Sequence, residues 1–357
     1  MKYSRDMKAL LSRISLVIVG CMIVLSCSKQ DVKDVGKDMV DVRLALSISG
    51  TAYTKDVDDA DATLDYTTDN QNKINDLYIL LVDKDGKFQY LVEELFAQDN
   101  SNTVYKGIIP RPAAGSRLVL MANLNQQNLS ATSDIRTWLN GFKGQDVETI
   151  YNYAVFSNTS GVWSLSSRSI PMWGEVEVGT QAGGELNLSC DMYKALAKIN
   201  IWVNGKKGIE GFEINKVVVK NSLDKGYCVS QSYLSSDISV QYGNPHIPAN
   251  AVNRVLDAEY GNLSVTTAFS DEIYVVEQDN SAEDMDPVTV EVHYTYNGAA
   301  GVGIINFKDE KGNAFDVIRN HSYIFNISRV SGVETNVSLI YDVVDYYDIH
   351  KINLGFN

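Results

Sequence analysis

The sequence has few of the side chains that carry most catalytic chemistry. It contains four histidines and four cysteines in 357 residues. The histidines (His246, His293, His321 and His350) lie far apart, and none belongs to a metal-binding pattern such as H-E-x-x-H. The sequence also lacks a G-x-S-x-G nucleophile elbow and a glycine-rich phosphate loop. We therefore expect no enzyme, no catalytic residue, no cofactor and no metal. The carboxylate pair of a hydrolase stays open as an alternative, because acidic residues are numerous.

The chain also has fewer basic than acidic residues. Lysine and arginine number 31 against 45 aspartates and glutamates, which gives a net charge of −14. The basic residues of the first segment (Lys2, Arg5, Lys8 and Arg13) outnumber its one acid, so the remainder of the chain is more acidic still. Proteins bind nucleic acids by neutralising phosphates with lysine and arginine. We therefore expect no nucleic-acid partner.

The N-terminal apolar run is short and covers only residues 14–25. Such a helix is about 18 Å long at about 1.5 Å per residue, whereas a bilayer core is about 30 Å thick. A basic start, a short apolar run and a small residue before the cut are typical of a secretory signal. Residues 24–27 (VLSC) resemble the bacterial lipobox, so we expect a signal at 1–26 and acylation of Cys27. A cut before Cys21 and an uncleaved signal anchor are the alternatives.

Beyond the signal, cysteine is nearly absent: only Cys190 and Cys228 remain. Export through an oxidising compartment permits a disulfide between them. Cysteine also behaves as a small core hydrophobe, so two buried free thiols are equally compatible with the sequence.

In the rest of the sequence, the most frequent pattern is an alternation of apolar and polar residues, which predicts β-strands. Residues 40–49 (VDVRLALSIS) place five apolar side chains on one face: Val40, Val42, Leu44, Leu46 and Ile48. An acidic loop at residues 55–72 follows. Asp85-Gly86 predicts a hairpin between strands 74–82 and 88–92, because glycine adopts the positive φ of the turn; a calcium loop starting at Asp83 is the less favoured interpretation.

The remaining patterns predict further strands, one helix at 134–141 and an irregular surface insertion at 233–266. Further strands are expected at 117–122, 185–189, 197–203, 212–220, 288–296, 303–307, 322–329 and 337–344. Many short strands at this spacing indicate β-sandwiches. With about 330 residues after the signal, two domains are expected. We expect an all-β fold with few helices: a tether at 27–39, an N-terminal sandwich at 40–180 and a C-terminal sandwich at 181–357.

Five segments, in their order along the chain, resemble the fimbrillins of Bacteroidetes, the lipoprotein-derived pilins of type V fimbriae. They are NKINDLYILLVDKDG (72–86), RLVLMANLN (117–125), SIPMWGEVEV (169–178), CDMYKALAKINIWV (190–203) and IRNHSYIFNISRVSG (318–332). The resemblance implies two transthyretin-like sandwich domains. It also implies a structural subunit of a surface fimbrium that supports adhesion.

The resemblance further implies how such a subunit assembles. The lipoprotein reaches the outer membrane, and a trypsin-like protease removes the first strand by cutting the loop that follows it. The best cut here is after Lys55. A strand from a neighbouring subunit then fills the groove by β-augmentation. The donor would be the C-terminal tail, whose Ile352, Leu354 and Phe356 alternate with polar residues or glycine. Partners would be other fimbrial subunits, the outer membrane through the lipid, and a host or bacterial surface receptor.

Two departures from the family pattern keep other roles open. Polymerising members present arginine at the cut, whereas this chain has Lys55-Asp56, and their tails often carry tryptophan where this chain has residues 345–347 (DYY). A non-polymerising anchor or tip subunit is therefore one alternative. A surface glycan-binding lipoprotein is another, with Trp138, Trp163, Trp173 and Trp202 as candidate stacking platforms.

Overall fold

In a computed structural model of the chain, the structure describes residues 39–48, 70–98, 100, 102–127, 129, 134–159, 161–179, 185–229, 245–308, 312, 314–331 and 338–346. These residues form strands joined by short connections, with two short helices and one 3₁₀ turn at Asn70–Asn72. The predicted all-β fold class is confirmed.

The first half of the chain supplies one large sheet and both helices. Its elements are β1 Met39–Ile48, β2 Leu77–Val82, β3 Phe88–Leu91, β4 Leu95–Ala97, β5 Val104–Pro110, β6 Arg117–Ala122, α1 Ile135–Asn140, α2 Val147–Tyr153, β7 Val155–Ser157, β8 Met172–Glu177 and β9 Glu185–Lys194. Eight of these strands pair in the order β3-β2-β6-β8-β9-β1-β5-β4. One apolar cluster joins side chains from both ends of this order, including Leu81 of β2, Leu120 of β6 and Ile109 of β5. The sheet therefore folds over on itself and encloses a core.

The other face of β2 and β6 is also buried. Alternate residues of these strands, such as Leu80 and Met121, join a second cluster that includes Leu139 of α1 and Ile150 of α2. Two-sided burial explains why both strands are apolar almost throughout, rather than alternating.

The second half of the chain forms a sandwich of two four-stranded sheets. Its strands are β10 Leu196–Val203, β11 Phe212–Lys220, β12 Lys225–Tyr227, β13 Ala258–Tyr260, β14 Ala268–Val276, β15 Thr289–Tyr296, β16 Ala299–Asn306, β17 Ser322–Ser331 and β18 Ser338–Tyr346. The sheet orders are β14-β10-β17-β18 and β13-β11-β15-β16, and β12 pairs with β7 of the first half. Inward residues such as Ile199, Val217 and Phe325 fill the core between the two sheets.

The predicted hairpin at Asp85-Gly86 is present between β2 and β3. Gly86 has φ of 80°, and the Asp83 carboxylate accepts hydrogen bonds from the backbone N–H groups of Asp85 and Lys87 at 2.9 Å each and from Gln89 at 2.6 Å. Asp83 therefore shapes the turn, which accounts for this residue without a calcium ion.

Several details of the predicted strands are wrong. The strand expected from residue 74 begins at Leu77, because Asn75 and Asp76 make hydrogen bonds to the segment after β6. The insertion expected at 233–266 contains a strand, β13, which pairs with β11. Strands β4, β5, β7, β8, β12 and β14 and helix α2 were not predicted. The domain boundary at residues 180 and 181 stays a prediction, and we note that β9 pairs within the first sheet.

The two cysteines of the body are both free and buried. Cys190 lies in the core enclosed by the first sheet, and Cys228 lies in the second cluster of that half. Burial raises the pKa of both thiols, that of Cys228 to about 12. Of the two interpretations, paired or free, the structure shows free thiols.

Candidate functional site

β1 lies in the middle of the first sheet, between two strands that are distant in sequence. Seven residue pairs, from Met39 opposite Pro110 to Ala45 opposite Val104, join it antiparallel to β5. Eight pairs, from Asp41 opposite Glu185 to Ile48 opposite Met192, join it parallel to β9. The first strand of the chain therefore occupies a groove whose two walls are contributed by later segments.

The apolar face predicted for this strand points into the core. Relative exposure is 1% for Val40, 2% for Val42, 0% for Leu44 and 8% for Leu46, and Ile48 is half-buried at the end of the strand. Fully burying one such side chain contributes about 1.5–3 kcal/mol. The groove is thus a row of four apolar positions, flanked by the backbone groups of two strands.

The wall formed by β5 depends on β1. Among the described strands, β5 pairs only with β1 and β4. The ladder to β4 has three pairs, Leu95 to Gly107, Phe96 to Lys106 and Ala97 to Tyr105. An additional β-carbon at Gly107 would lie 1.9 Å from the carbonyl oxygen of Glu94, so the close approach of this short hairpin requires glycine. Without a strand in the place of β1, β5 loses most of its main-chain pairing.

The other candidate residues lie outside the described part of the chain. These are the acylation site Cys27, the cleavage site Lys55 and the donor residues Ile352, Leu354 and Phe356. Their roles stay predictions.

Asn123, the last residue of the Met-Ala-Asn segment, joins three parts of the first half. It is fully buried and has φ of 62°. Its side-chain amide donates to the carbonyls of Lys73 and Ile170 at 2.8 Å each, and its Oδ1 accepts from the N–H of Asn75 at 2.8 Å. Asparagine combines tolerance of positive φ with donors and an acceptor.

Asn320 likewise joins separate segments, at the point where the first half of the chain meets the second. It has φ of 60°, its Oδ1 accepts from the N–H of Lys194 at 2.9 Å, and its own N–H donates to the carbonyl of Leu196 at 2.9 Å. It therefore ties the end of β9 to the start of β10. The sequence patterns include both motifs but did not predict the role of either asparagine. An asparagine next to the end of a strand, where positive φ is common, is the sequence feature that indicates such a role.

Arg319, the residue before Asn320, forms an ion pair with Glu277. Among the described ion pairs, it is the one in which both side chains are just 3% exposed. The Arg319 Nε donates to Glu277 at 2.8 Å. The Tyr323 hydroxyl donates to the carbonyl of Asp316 at 2.9 Å and accepts from the N–H of Ile318 at 2.8 Å. These contacts hold the connection that precedes β17.

The segment Pro-Met-x-Gly-Glu enters β8 at its methionine, Met172, and β8 lies beside β9. A β-carbon on Gly174 would meet the carbonyl oxygen of Asp191 at 2.3 Å, which excludes any other residue. Glu175 pairs with Arg117 at 3.0 Å and accepts a hydrogen bond from the Tyr151 hydroxyl. Burial raises the pKa of Glu175, and burial together with the Glu175 carboxylate raises the pKa of Tyr151.

His246, His321 and the four tryptophans pack against neighbouring side chains. Burial lowers the pKa of His321 and of His246, and His321 Nδ1 lies 2.8 Å from the carbonyl of Arg319. Among the described residues, no three histidine, cysteine or carboxylate side chains cluster as metal ligands. Trp163, Trp173 and Trp202 are buried and Trp138 is half-buried, so they do not form the open stacking platforms expected of a glycan site.

The fold has solved relatives. One is the tip fimbrial protein Mfa3 from Porphyromonas gingivalis, at 12% identity over 85% of this chain and 99% of that one, with a TM-score of 0.50. Another is a candidate cell adhesion protein from Parabacteroides distasonis, at 17% identity over 88% and 99%, with a TM-score of 0.50. At such identities the likeness establishes the fold, which is that of fimbrial and adhesion proteins. No curated protein sequence matches the chain.

The sequence profile of the fimbrillin-A associated anchor proteins Mfa1 and Mfa2 matches residues 34–340. The chain belongs to this family. The fimbrillin resemblance is thereby confirmed, and the chain is a fimbrial protein of a cell-surface appendage. Membership in a family of structural adhesion proteins is typical of a non-enzymatic role. In the part of the chain that the structure describes, no helix is long and apolar enough for a membrane span.

Proposed function

We propose that the chain is a fimbrial subunit that assembles by exchanging its first strand for a strand of a neighbouring subunit. It is exported with Cys27 acylated, reaches the outer membrane as a lipoprotein and is cut after Lys55. The cut separates β1 from the body. The tail of the next subunit, with Ile352, Leu354 and Phe356, then enters the groove.

The observation that carries this proposal is the position of β1. An N-terminal strand in the middle of a sheet, paired on both sides with later segments, can be replaced by another strand without rearranging the remaining chain order. The interactions that hold β1 do not require its particular sequence, because they are main-chain pairs and alternating apolar side chains. Strand addition uses these same interactions, with backbone bonds for affinity and alternate side chains for register.

The experiment concerns the cut. Cells that express a Lys55→Arg chain, a Lys55→Ala chain or the natural chain are compared for the chain's molecular mass and for its presence in sheared surface fibres. Arginine and lysine support trypsin-like cleavage, so the first and third chains should lose their N-terminal segment and enter fibres. The Lys55→Ala chain should keep the segment, the lipid and a membrane location. Entry of uncut Lys55→Ala chains into the fibre stalk would refute the proposal.

A second candidate function is a fimbrial anchor that keeps β1 and the lipid. The observation that favours it is the acidic residue directly after Lys55, which makes a poor trypsin-like site. In that case the natural chain and the Lys55→Ala chain would both remain uncut and membrane-bound at the base of the fibre.

A further inference from the structure

The described part of the eight-stranded sheet and of the two four-stranded sheets has six edge strands, and five of them carry features that discourage pairing with another chain. β3, β4 and β13 are only three or four residues long. β14 contains Asp271 and Glu272 and pairs irregularly with β10. β18 contains Asp342 and Asp345 and pairs irregularly with β17. Short length, charges and bulges are the means by which proteins protect an exposed edge.

The sixth edge strand, β16, has none of these features. It is eight residues long (AAGVGIIN) and contains neither a charged residue nor a proline. Eight uninterrupted residue pairs, from Ala299 opposite Tyr296 to Asn306 opposite Thr289, join it to β15. Among the described strands it pairs with β15 alone, and β18 lies beside it in the facing sheet without pairing with it. The other side of β16 is therefore open to main-chain pairing.

The outward side chains of β16 form an apolar row, which consists of Ala300, Val302 and Ile304. Val302 is 51% exposed and Ile304 is 55% exposed, and Ala300 is exposed as well. The positions between them are glycines, so no large side chain stands on the inward face at the centre of this edge. Exposed apolar side chains that lie together are typical of protein–protein contacts.

The turn before β16 determines which backbone groups face the open side. Asn297 and Gly298 have φ of 51° and 86°, as in a type I′ hairpin turn. The pair that closes such a turn, here Tyr296 and Ala299, is hydrogen-bonded. Because hydrogen-bonded and non-bonded pairs alternate along an antiparallel ladder, the N–H and C=O groups of the apolar row point away from β15.

The far end of β16 limits this open segment. The carbonyl of Asn306 already accepts a hydrogen bond from the N–H of Lys308 at 3.0 Å. The open backbone groups are therefore those of the three residues of the apolar row, and Val302 stands at their centre.

We infer that β16 is an interaction surface for a second copy of this chain, whose β16 pairs with it antiparallel about a two-fold axis at Val302. Val302 then faces Val302 of the partner subunit, and Ala300 faces the partner's Ile304. The two four-stranded sheets become one continuous sheet across the contact. This inference does not depend on strand exchange, because the contact involves neither β1 nor its groove.

A second copy fits this edge because apolar side chains meet apolar side chains. The nearest titratable side chains on the outward face are Glu291 and His293 of β15, and Glu291 is paired with Lys220 at 2.7 Å. The two copies of β15 would be three strand spacings apart, about 14 Å at about 4.8 Å each. This distance exceeds the Debye length of about 8 Å at 0.15 M salt. The segment with Lys308 would pass the partner's turn, which is uncharged.

The symmetry of the contact limits what it can build. A two-fold contact uses the same surface on both copies and closes on two of them. It would therefore join two subunits side by side and would not extend a fibre. Between subunits of different fibres, it would be a lateral link.

The first test measures the mass of the chain from residue 28 by sedimentation equilibrium, at concentrations up to about 1 mM, so that even a millimolar dissociation constant is detected. The natural chain should pass from monomer to dimer as its concentration rises. Val302→Lys places two lysines opposite each other and should weaken the dimer at least about fivefold, and Val302→Glu should do the same. The control is Val255→Lys, at a 96% exposed position outside the contact, which should dimerise like the natural chain.

A mixture of the two charged variants tests the two-fold axis. Because residue 302 faces its own counterpart, a Val302→Lys chain and a Val302→Glu chain bring opposite charges together. They should bind each other at least about fivefold more tightly than either binds itself. The measurement uses a fluorescent label on one of the two chains. This rescue also shows that both variants are folded, since an unfolded chain offers no strand edge.

A disulfide test checks the register. The Cα atoms of a hydrogen-bonded antiparallel pair are about 5.5 Å apart, which a disulfide can span, so Val302→Cys chains should cross-link in oxidised glutathione. Ile304→Cys is the matched control, because it is similarly exposed but would lie roughly 14 Å from its own counterpart, four residues along the strand. Cys190 and Cys228 are buried and do not compete.

The outcomes distinguish this inference from the proposed function. A natural chain that stays monomeric throughout would overturn the inference, and so would a Val302→Lys chain that dimerises like the natural chain. A mixture without rescue, or faster cross-linking of Ile304→Cys than of Val302→Cys, would overturn the pairing about Val302. Cleavage after Lys55 should leave dimerisation unchanged, so failure of the dimer leaves strand exchange standing, and failure of strand exchange leaves the dimer standing.

Discussion

Leu44 offers the sharpest test of how β1 is held. It is 0% exposed and stands opposite Tyr105 on one side and Leu188 on the other. We predict that Leu44→Ala lowers the free energy of unfolding of the first half by about 2–5 kcal/mol, the range for truncating a buried leucine where the cavity collapses only partly. With an m value of about 3 kcal/mol/M, the urea midpoint should fall by about 1 M.

The assay is equilibrium urea unfolding of the chain from residue 28, followed by tryptophan fluorescence. Ser47→Ala, on the exposed face of the same strand, is the control for strand propensity and should stay within about 0.5 kcal/mol of the natural chain. Leu118→Ala, in the same core but on β6, is the control for cavity size. In the cleaved chain, Leu44→Ala should also release the 39–48 segment at least about 30-fold faster, which corresponds to about 2 kcal/mol. A Leu44→Ala chain as stable as Ser47→Ala would refute the account of the groove.

Three further predictions concern the rest of the molecule. Asn320→Ala should cost about 1–3 kcal/mol, because it leaves the buried N–H of Lys194 without its acceptor; Asn320→Asp, which keeps an acceptor, should cost less in the same urea titration. Cys228 should resist thiol reagents in the native chain and react after unfolding, because it is buried with a pKa raised to about 12; rapid native labelling would contradict its burial. Burial lowers the pKa of His321 in the folded chain below its usual 6.5, so stability should be complete above about pH 6.5 and fall as the pH drops below it; in unfolding titrations at pH 7.5 and 5.5, His321→Gln should flatten this fall, and an unchanged slope would contradict it.

The strands, turns and helices that can be predicted from the sequence are those that depend on residues close together in the chain. β1, β6 and β11 have clear apolar patterns, and their observed bounds agree with the expected ones within a residue or two. The turn at Gly86 and the helix capped by Asp134, whose side chain accepts from the N–H of Thr137 at 3.0 Å, also follow from local chemistry.

The elements that sequence reasoning missed depend on distant contacts. β4 has three residues, and it is a strand because Gly107 allows β5 to approach closely. β13 is a strand because β11 offers it an edge. The groove itself could not be predicted from pattern alone, since the parallel pairing of β1 with β9 joins segments more than a hundred residues apart.

The N-terminal residue of the chain in purified surface fibres tests the central claim most directly. Fibres are sheared from cells, their subunits are separated, and the first residue of this chain is determined by mass spectrometry. Strand exchange after cleavage predicts a chain that begins at Asp56, without lipid and without β1. A fibre-associated chain that still begins at acylated Cys27, or the absence of the chain from the fibres, would contradict it.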